Sequence, residues 1–156
     1  MKTLTISQPF ASLIATGDKW VENRTWKTDY RGPLAIHAGR GTQYLTGKQL
    51  RDFPTGAIVA VATLWGCLDI RAVKHYAAGG DIEDPELFAG FGRNELVRIA
   101  NHEHSEGPFG FLLRDIYRLE TPVDAVGKLG FWETSPDVSA AIASANLIRT
   151  LRGAGR

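Results

Sequence analysis

Residues 57–68, Ala-Ile-Val-Ala-Val-Ala-Thr-Leu-Trp-Gly-Cys-Leu, form a nearly continuous apolar run rich in β-branched side chains. A strand with one wet face alternates polar and apolar residues, so a run without alternation reads as a central strand buried on both faces. It falls well short of the ~18 apolar residues of a membrane helix. Pro54-Thr55-Gly56 supplies the turn that launches it. The rest of the chain must therefore cover both faces of this strand.

The flanking segments offer suitable partners. Residues 3–7 alternate, with Leu4 and Ile6 on one face, and predict an opening strand. Ser7 then stands as a cap two residues before Pro9, and Phe10, Leu13 and Ile14 follow at helical spacing until Gly17. Residues 20–26 alternate again, with Trp20, Glu22, Arg24 and Trp26 on one face. Asp29-Tyr30-Arg31-Gly32-Pro33 is turn chemistry, and a strand over 34–38 follows. The pattern predicts helices over 44–53, with Leu45 and Leu50 inward, over 71–78 and near 95–102. It predicts a strand over 109–119 after Gly107-Pro108, then a glycine-punctuated aromatic segment over 127–132. A last helix runs from Ser135-Pro136 to about Leu151. About five strands interleaved with four helices, then the last helix, without an internal repeat, suggest an α+β fold: a small β-barrel decorated by helices. A doubly wound sheet is disfavoured because residues 20–38 read as a hairpin without a crossover helix.

A chain of 156 residues fits one domain, and at this size folding buries about 68–70% of the unfolded surface. The lone Cys67 has no disulfide partner, which points to a reducing compartment, the cytoplasm. The first residues alternate instead of forming a basic head and an apolar block, so neither a signal peptide nor a membrane partner is expected. Net charge is only +1, but residues 1–40 carry +3 and residues 135–156 carry +2, leaving an acidic middle. A basic face for a polyanion or an ordinary solvated surface both fit that distribution.

Function-capable groups crowd into residues 17–40. Lys19 suits phosphate binding or, if desolvated, a base; Glu22 suits a general acid or base; Arg24 suits a bidentate anion clamp. In a regular strand Lys19 would face away from Glu22 and Arg24 unless Gly17-Asp18 makes a turn. A solvated ion pair on an edge strand explains the same residues. Trp26 is a base-stacking or core aromatic, and His37, at a strand end, is a cleft donor or a structural histidine. His102-Glu103-His104 fits no standard zinc spacing and reads as loop. Cys67 reads as a buried thiol. Arg149, Arg152 and Arg156 make a basic C-terminal face. No Gly-rich phosphate loop or ligand set calls for a cofactor or a metal.

Three groups of residues resemble the ASCH domain family, a branch of the PUA-like β-barrels. They are Ile6-Ser7-Gln8-Pro9-Phe10-Ala11-Ser12-Leu13-Ile14, then Gly17-x-Lys19-x-x-Glu22-x-Arg24-Thr25-Trp26, and Tyr30-Arg31-Gly32-Pro33-Leu34-x-Ile36-His37-Ala38. Residues 54–59, 107–111 and 127–132 continue the likeness. It covers residues 3–133 and implies a domain over 1–134 with a helical extension over 135–156. It implies a barrel with a cleft for RNA or another single strand, DNA being a competing partner. In that cleft Gln8, Lys19, Arg24, Trp26, Arg31, His37 and Arg40 would meet the nucleic acid. Some small ASCH proteins resemble an acetylcytidine amidohydrolase with a lysine, a threonine and a glutamate, and others are proposed ribonucleases. The alternative expectation is therefore a hydrolase using Lys19, Glu22 and Arg24. Glu22 stands where the threonine nucleophile belongs, with Thr25 the nearest substitute. A protein-interaction domain reusing the barrel is a third reading.

Overall fold

A computed structural model of the chain describes residues 1–82 and 84–149. In order they form β1 (Lys2–Ile6), α1 (Phe10–Thr16), β2 (Val21–Arg24), β3 (Gly32–Ala38), α2 (Gln49–Asp52), β4 (Ala57–Asp69), α3 (Ile70–Ala77), a 3-10 turn (Pro85–Phe88), α4 (Arg93–Ala100), β5 (Phe109–Asp124), β6 (Phe131–Glu133), α5 (Pro136–Ser144) and β7 (Leu147–Arg149). The class is α+β. Among the described residues no helix is long and apolar enough to cross a membrane.

The chain divides into two compact units, one of residues 1–20, 32–63 and 114 onward, the other of residues 21–31 and 64–113. In the first unit the strands pair in the order β5-β4-β3-β1-β6, with β7 also on β5. β1 runs parallel to β3, Thr3 opposite Ala35 and Ile6 opposite Ala38, and antiparallel to β6, Leu4 opposite Phe131. Ala35, Ile58, Leu119, Trp132 and Ile142 make a buried cluster flanked by Val61, Val123 and Val138. Ile142 comes from α5, which begins as the Ser-Pro pair predicts: Ser135 Oγ accepts from the Val138 N–H.

In the second unit β2 pairs antiparallel with the start of β5. Asp69 ends β4 and caps α3, its Oδ1 accepting from the Arg71 and Ala72 N–H groups at 2.9 and 3.2 Å. α3 packs on α4 through the buried Ile70, Val73, Leu96 and Ile99, each contributing about 1.5–3 kcal/mol of burial. Gly110 makes room for this packing, since a Cβ there would lie 2.5 Å from Ile70 Cδ1 and 3.0 Å from Val21 Cγ1.

The long run is indeed the interior strand β4, with most of its residues buried. Other expectations need correction. Residues 20–38 are no hairpin: β2 pairs with β5, and β3 with β1. All five residues from Leu34 to Ala38 are buried, which requires neighbours on both sides, and the 25 residues between β1 and β3 are ample for the crossover a parallel pair needs. β2 is itself only four residues long. The helix over 44–53 shrinks to α2, with Leu45 buried and Leu50 52% exposed. Five residues apart, those two leucines do not share a helix face. Ser7 does not cap α1, whose N-cap residue is Pro9 with no side-chain cap. The last helix stops at Ser144, and the chain re-enters the sheet as β7. Arg152 and Arg156 lie outside the described residues.

Candidate functional site

In the first unit, Gly17 ends α1 in the left-handed region at φ 80°, its N–H bonded to Ile14 O. The Lys19 N–H then turns back onto Leu13 O at 3.0 Å. Lys19 therefore precedes β2, and strand alternation does not govern it. Its side chain is only 2% exposed, and Nζ lies 5.6 Å from the centre of the Phe10 ring, within cation–π range. The same ring meets Tyr44 edge to face at 5.7 Å.

Gln8 is fully buried and its amide is committed to scaffold. Nε2 donates to Ser12 Oγ at 2.9 Å and Pro54 O at 2.6 Å, while Oε1 accepts from the Ser12 N–H. That last bond satisfies one of the amides the helix start leaves open. His37, 1% exposed, donates through Nε2 to Ala125 O at 3.0 Å, which leaves Nδ1 as an acceptor without a partner. Trp132 packs edge to face on the imidazole at 5.6 Å. Burial pushes the His37 pKa below 6.5, partly offset by the Ala125 carbonyl and reinforced by Arg40. Arg40 is exposed, and its chain crosses Gly56, where a Cβ would lie 2.9 Å from Nε.

In the second unit, Glu22 stands opposite Phe111 and Arg24 opposite Phe109. Glu22 Oε1 and Arg24 Nη2 form an ion pair of 3.1 Å whose side chains are 9% and 20% exposed. Trp26 packs edge to face on Phe111 at 4.9 Å. Arg31 is exposed, and its Nη1 donates to the Thr28 and Tyr30 carbonyls at 3.0 and 2.8 Å. Cys67 is buried, and burial raises its thiol pKa against the opposing pull of the Thr28 backbone and of Arg31 and Lys27. The two His of 102–104 sit in a loop in which the His104 N–H donates to His102 Nδ1. Among the described residues no group of three or more His, Cys, Asp or Glu could hold a metal.

Sequence reasoning passed over Asn23. Its Nδ2 donates to His104 O at 2.8 Å and its Oδ1 accepts from the Glu106 and Gly107 N–H groups at 3.1 and 3.0 Å. The signal was available, since an amide on the strand face opposite Glu22 and Arg24 needs backbone partners if half-buried. Phe10, which meets both Lys19 and Tyr44, and Tyr44 itself carry only helix spacing in the sequence. The structure thus brings Lys19, Phe10 and Tyr44 together in one unit and Glu22, Arg24 and Trp26 together in the other.

The ASCH domain family matches residues 4–120. Over 87 residues, 46% of this chain, the sequence is 32% identical to human activating signal cointegrator 1, of which that segment is 15% of the length. The chain thus spans a small part of that relative. The fold is similar to the crystal structure of ASCH from Zymomonas mobilis, at TM-score 0.55 and 14% identity over 93% of this chain and 95% of that one. A point mutant of the same Zymomonas mobilis protein gives TM-score 0.54 and 14% identity over 93% and 98%. At such identity the likeness is one of fold, an α+β arrangement. With three quarters of its length matched, the chain belongs to the ASCH domain family.

Proposed function

We propose that the chain is a nucleic-acid-binding ASCH domain that holds RNA or another single strand. The family is generally linked to RNA binding. The observation that carries the reading is Lys19, an ammonium 2% exposed and placed over an aromatic ring. Withdrawing a cation from water costs several kcal/mol, and pairing with an anionic ligand such as a phosphate offsets that cost. Lys27, Arg31 and Arg40 are the exposed cations of the same stretch and reach phosphates first. Arg24, its guanidinium oriented by Glu22, adds a directional contact, and Trp26 stacks a base. Gln8 and His37, buried, act through the backbone they hold.

Oligonucleotide affinity measured against salt tests this directly. Log affinity falls with log salt by about 0.7 per phosphate neutralised on a single strand, and replacing Arg31 or Arg40 by Gln removes about 0.7 from the slope. Affinity that ignores salt, or no binding at all, overturns the reading.

A second reading has its own support. Lys19 and Glu22 are 2% and 7% exposed, and desolvation is the condition under which a lysine amine works as base or nucleophile. On this reading the domain hydrolyses RNA or an acetylated cytidine, the candidate catalytic groups being Glu22 or Lys19 for proton transfer and Arg24 for developing negative charge. Incubation with both substrates separates the two readings. Product that Lys19→Ala or Glu22→Ala abolishes establishes the hydrolase, whereas binding without turnover leaves the binding module.

A further inference from the structure

We propose that Tyr44 is a stacking platform for one nucleobase of a single-stranded ligand, set one aromatic ring away from Lys19. The inference rests on the nucleic-acid reading above and adds to it a residue outside the family motif. Tyr44 is 57% exposed, yet its ring is fixed. It meets Phe10 edge to face with centres 5.7 Å apart and planes at 60°, and an edge-to-face contact uses one side of the pair while leaving area for another ring.

The backbone around it is held at three points. The Gly39 N–H donates to Ile6 O and the Leu45 N–H to Thr42 O, both at 2.9 Å. Leu45, the next residue, is buried at 7%. The Thr46 N–H donates to Gln49 Oε1 at 3.2 Å. A solvated aromatic on a pinned loop offers contact area at little entropic cost, since only two side-chain torsions remain to be fixed.

Phe10 carries Tyr44 and Lys19 together, Lys19 Nζ being 5.6 Å from its centre. The Phe10 ring thus links the exposed Tyr44 to Lys19, and the exposed Arg40, four residues upstream on the same loop, is suited to a phosphate. Stacking is tolerant of base identity because every base has a π-face. The platform is accordingly expected to register the strand without reading its sequence.

The test compares wild type, Tyr44→Leu and Tyr44→Phe binding to a short single-stranded RNA, and to the same strand with abasic residues, across a salt series. Tyr44→Leu is expected to lose about 5- to 150-fold in affinity on the intact strand. It should lose nothing on the abasic one and leave the salt slope unchanged, while Tyr44→Phe keeps the ring and the affinity. A Tyr44→Leu protein that binds RNA as well as wild type does overturns the platform and leaves the nucleic-acid reading standing. Wild type that binds no RNA overturns both. A Tyr44→Leu loss that persists on the abasic strand or flattens the salt slope also overturns it, because the residue would then be acting on the backbone.

Discussion

Gly127 lies against His37 so closely that a single added methyl group should be felt throughout the first unit. A Cβ at Gly127 would stand 2.5 Å from His37 Cε1, 2.8 Å from Nδ1 and 2.9 Å from Thr5 Oγ1, where carbon contacts settle at about 3.5–4.0 Å. None of these neighbours yields easily. The imidazole is tied to Ala125 O and flanked by Trp132, and Thr5 Oγ1 accepts from Trp132 Nε1 at 3.1 Å. Overpacking of this kind costs about 1–3 kcal/mol. The backbone at Gly127 lies outside the left-handed region, so the stiffer unfolded chain returns about 0.4–1 kcal/mol. The net expectation for Gly127→Ala is a loss of about 0.5–2 kcal/mol, seen as a fall of roughly 0.3–1 M in the urea midpoint. A double-mutant cycle isolates the cause. In a His37→Ala background the same substitution should cost little, because the ring it strikes is gone. If Gly127→Ala costs as much with His37 absent as with it present, or costs nothing in the wild type, the close approach is not what the glycine is for.

Two further expectations follow from buried titratable groups. Burial holds the His37 pKa below the 6.5 of an unfolded chain, so the unfolded state takes the proton first. Its contribution to stability is complete above pH ~6.5 and is lost as pH falls below that towards the folded value. Urea unfolding from pH 8 to 5 should lose stability in this window, and His37→Gln should flatten the slope; equal slopes refute the assignment. The Cys67 thiol, buried and raised in pKa, should resist iodoacetamide at pH 8 in the native protein and react on addition of urea, and alkylation at the rate of a free thiol in native buffer counts against it.

Strand β4 and helix α5 were legible because the forces that place them act locally. Burial on both faces removes alternation from residues 57–68, and a Ser-Pro start supplies both a side-chain acceptor and a fixed φ. Pairing is not local. Nothing within residues 21–24 indicates that their partner strand lies at 109–112, and a run of four residues with Glu, Asn and Arg among them carries too little apolar pattern to fix a register. The nearest strand-like segment therefore looks like its partner, and a hairpin is the natural misreading. Leu45 and Leu50 mislead for a related reason: two leucines suggest an amphipathic helix only if their spacing puts them on one face.

The candidate site shows the same division. The excess of positive charge in residues 1–40 is a fact of composition, and it pools cations whose physical situations are opposite. Lys27, Arg31 and Arg40 are exposed, Arg24 is half-sequestered against Glu22, and Lys19 is enclosed. Removing an exposed cation should change the salt dependence of binding with little effect on folding, since surface charges contribute about 0–1 kcal/mol. Replacing Arg24 leaves Glu22 buried without that partner and is expected to cost stability as well as affinity. What separates these outcomes is the depth of each side chain, and that depth is set by a left-handed glycine after α1 and by strand partners some 90 residues away. The sequence marks Gly17 as a stop, but the turn that carries Lys19 inward exists only once Leu13 O has accepted the Lys19 N–H. The functional weight of a charge in this chain is thus decided by backbone bonds its own position does not reveal.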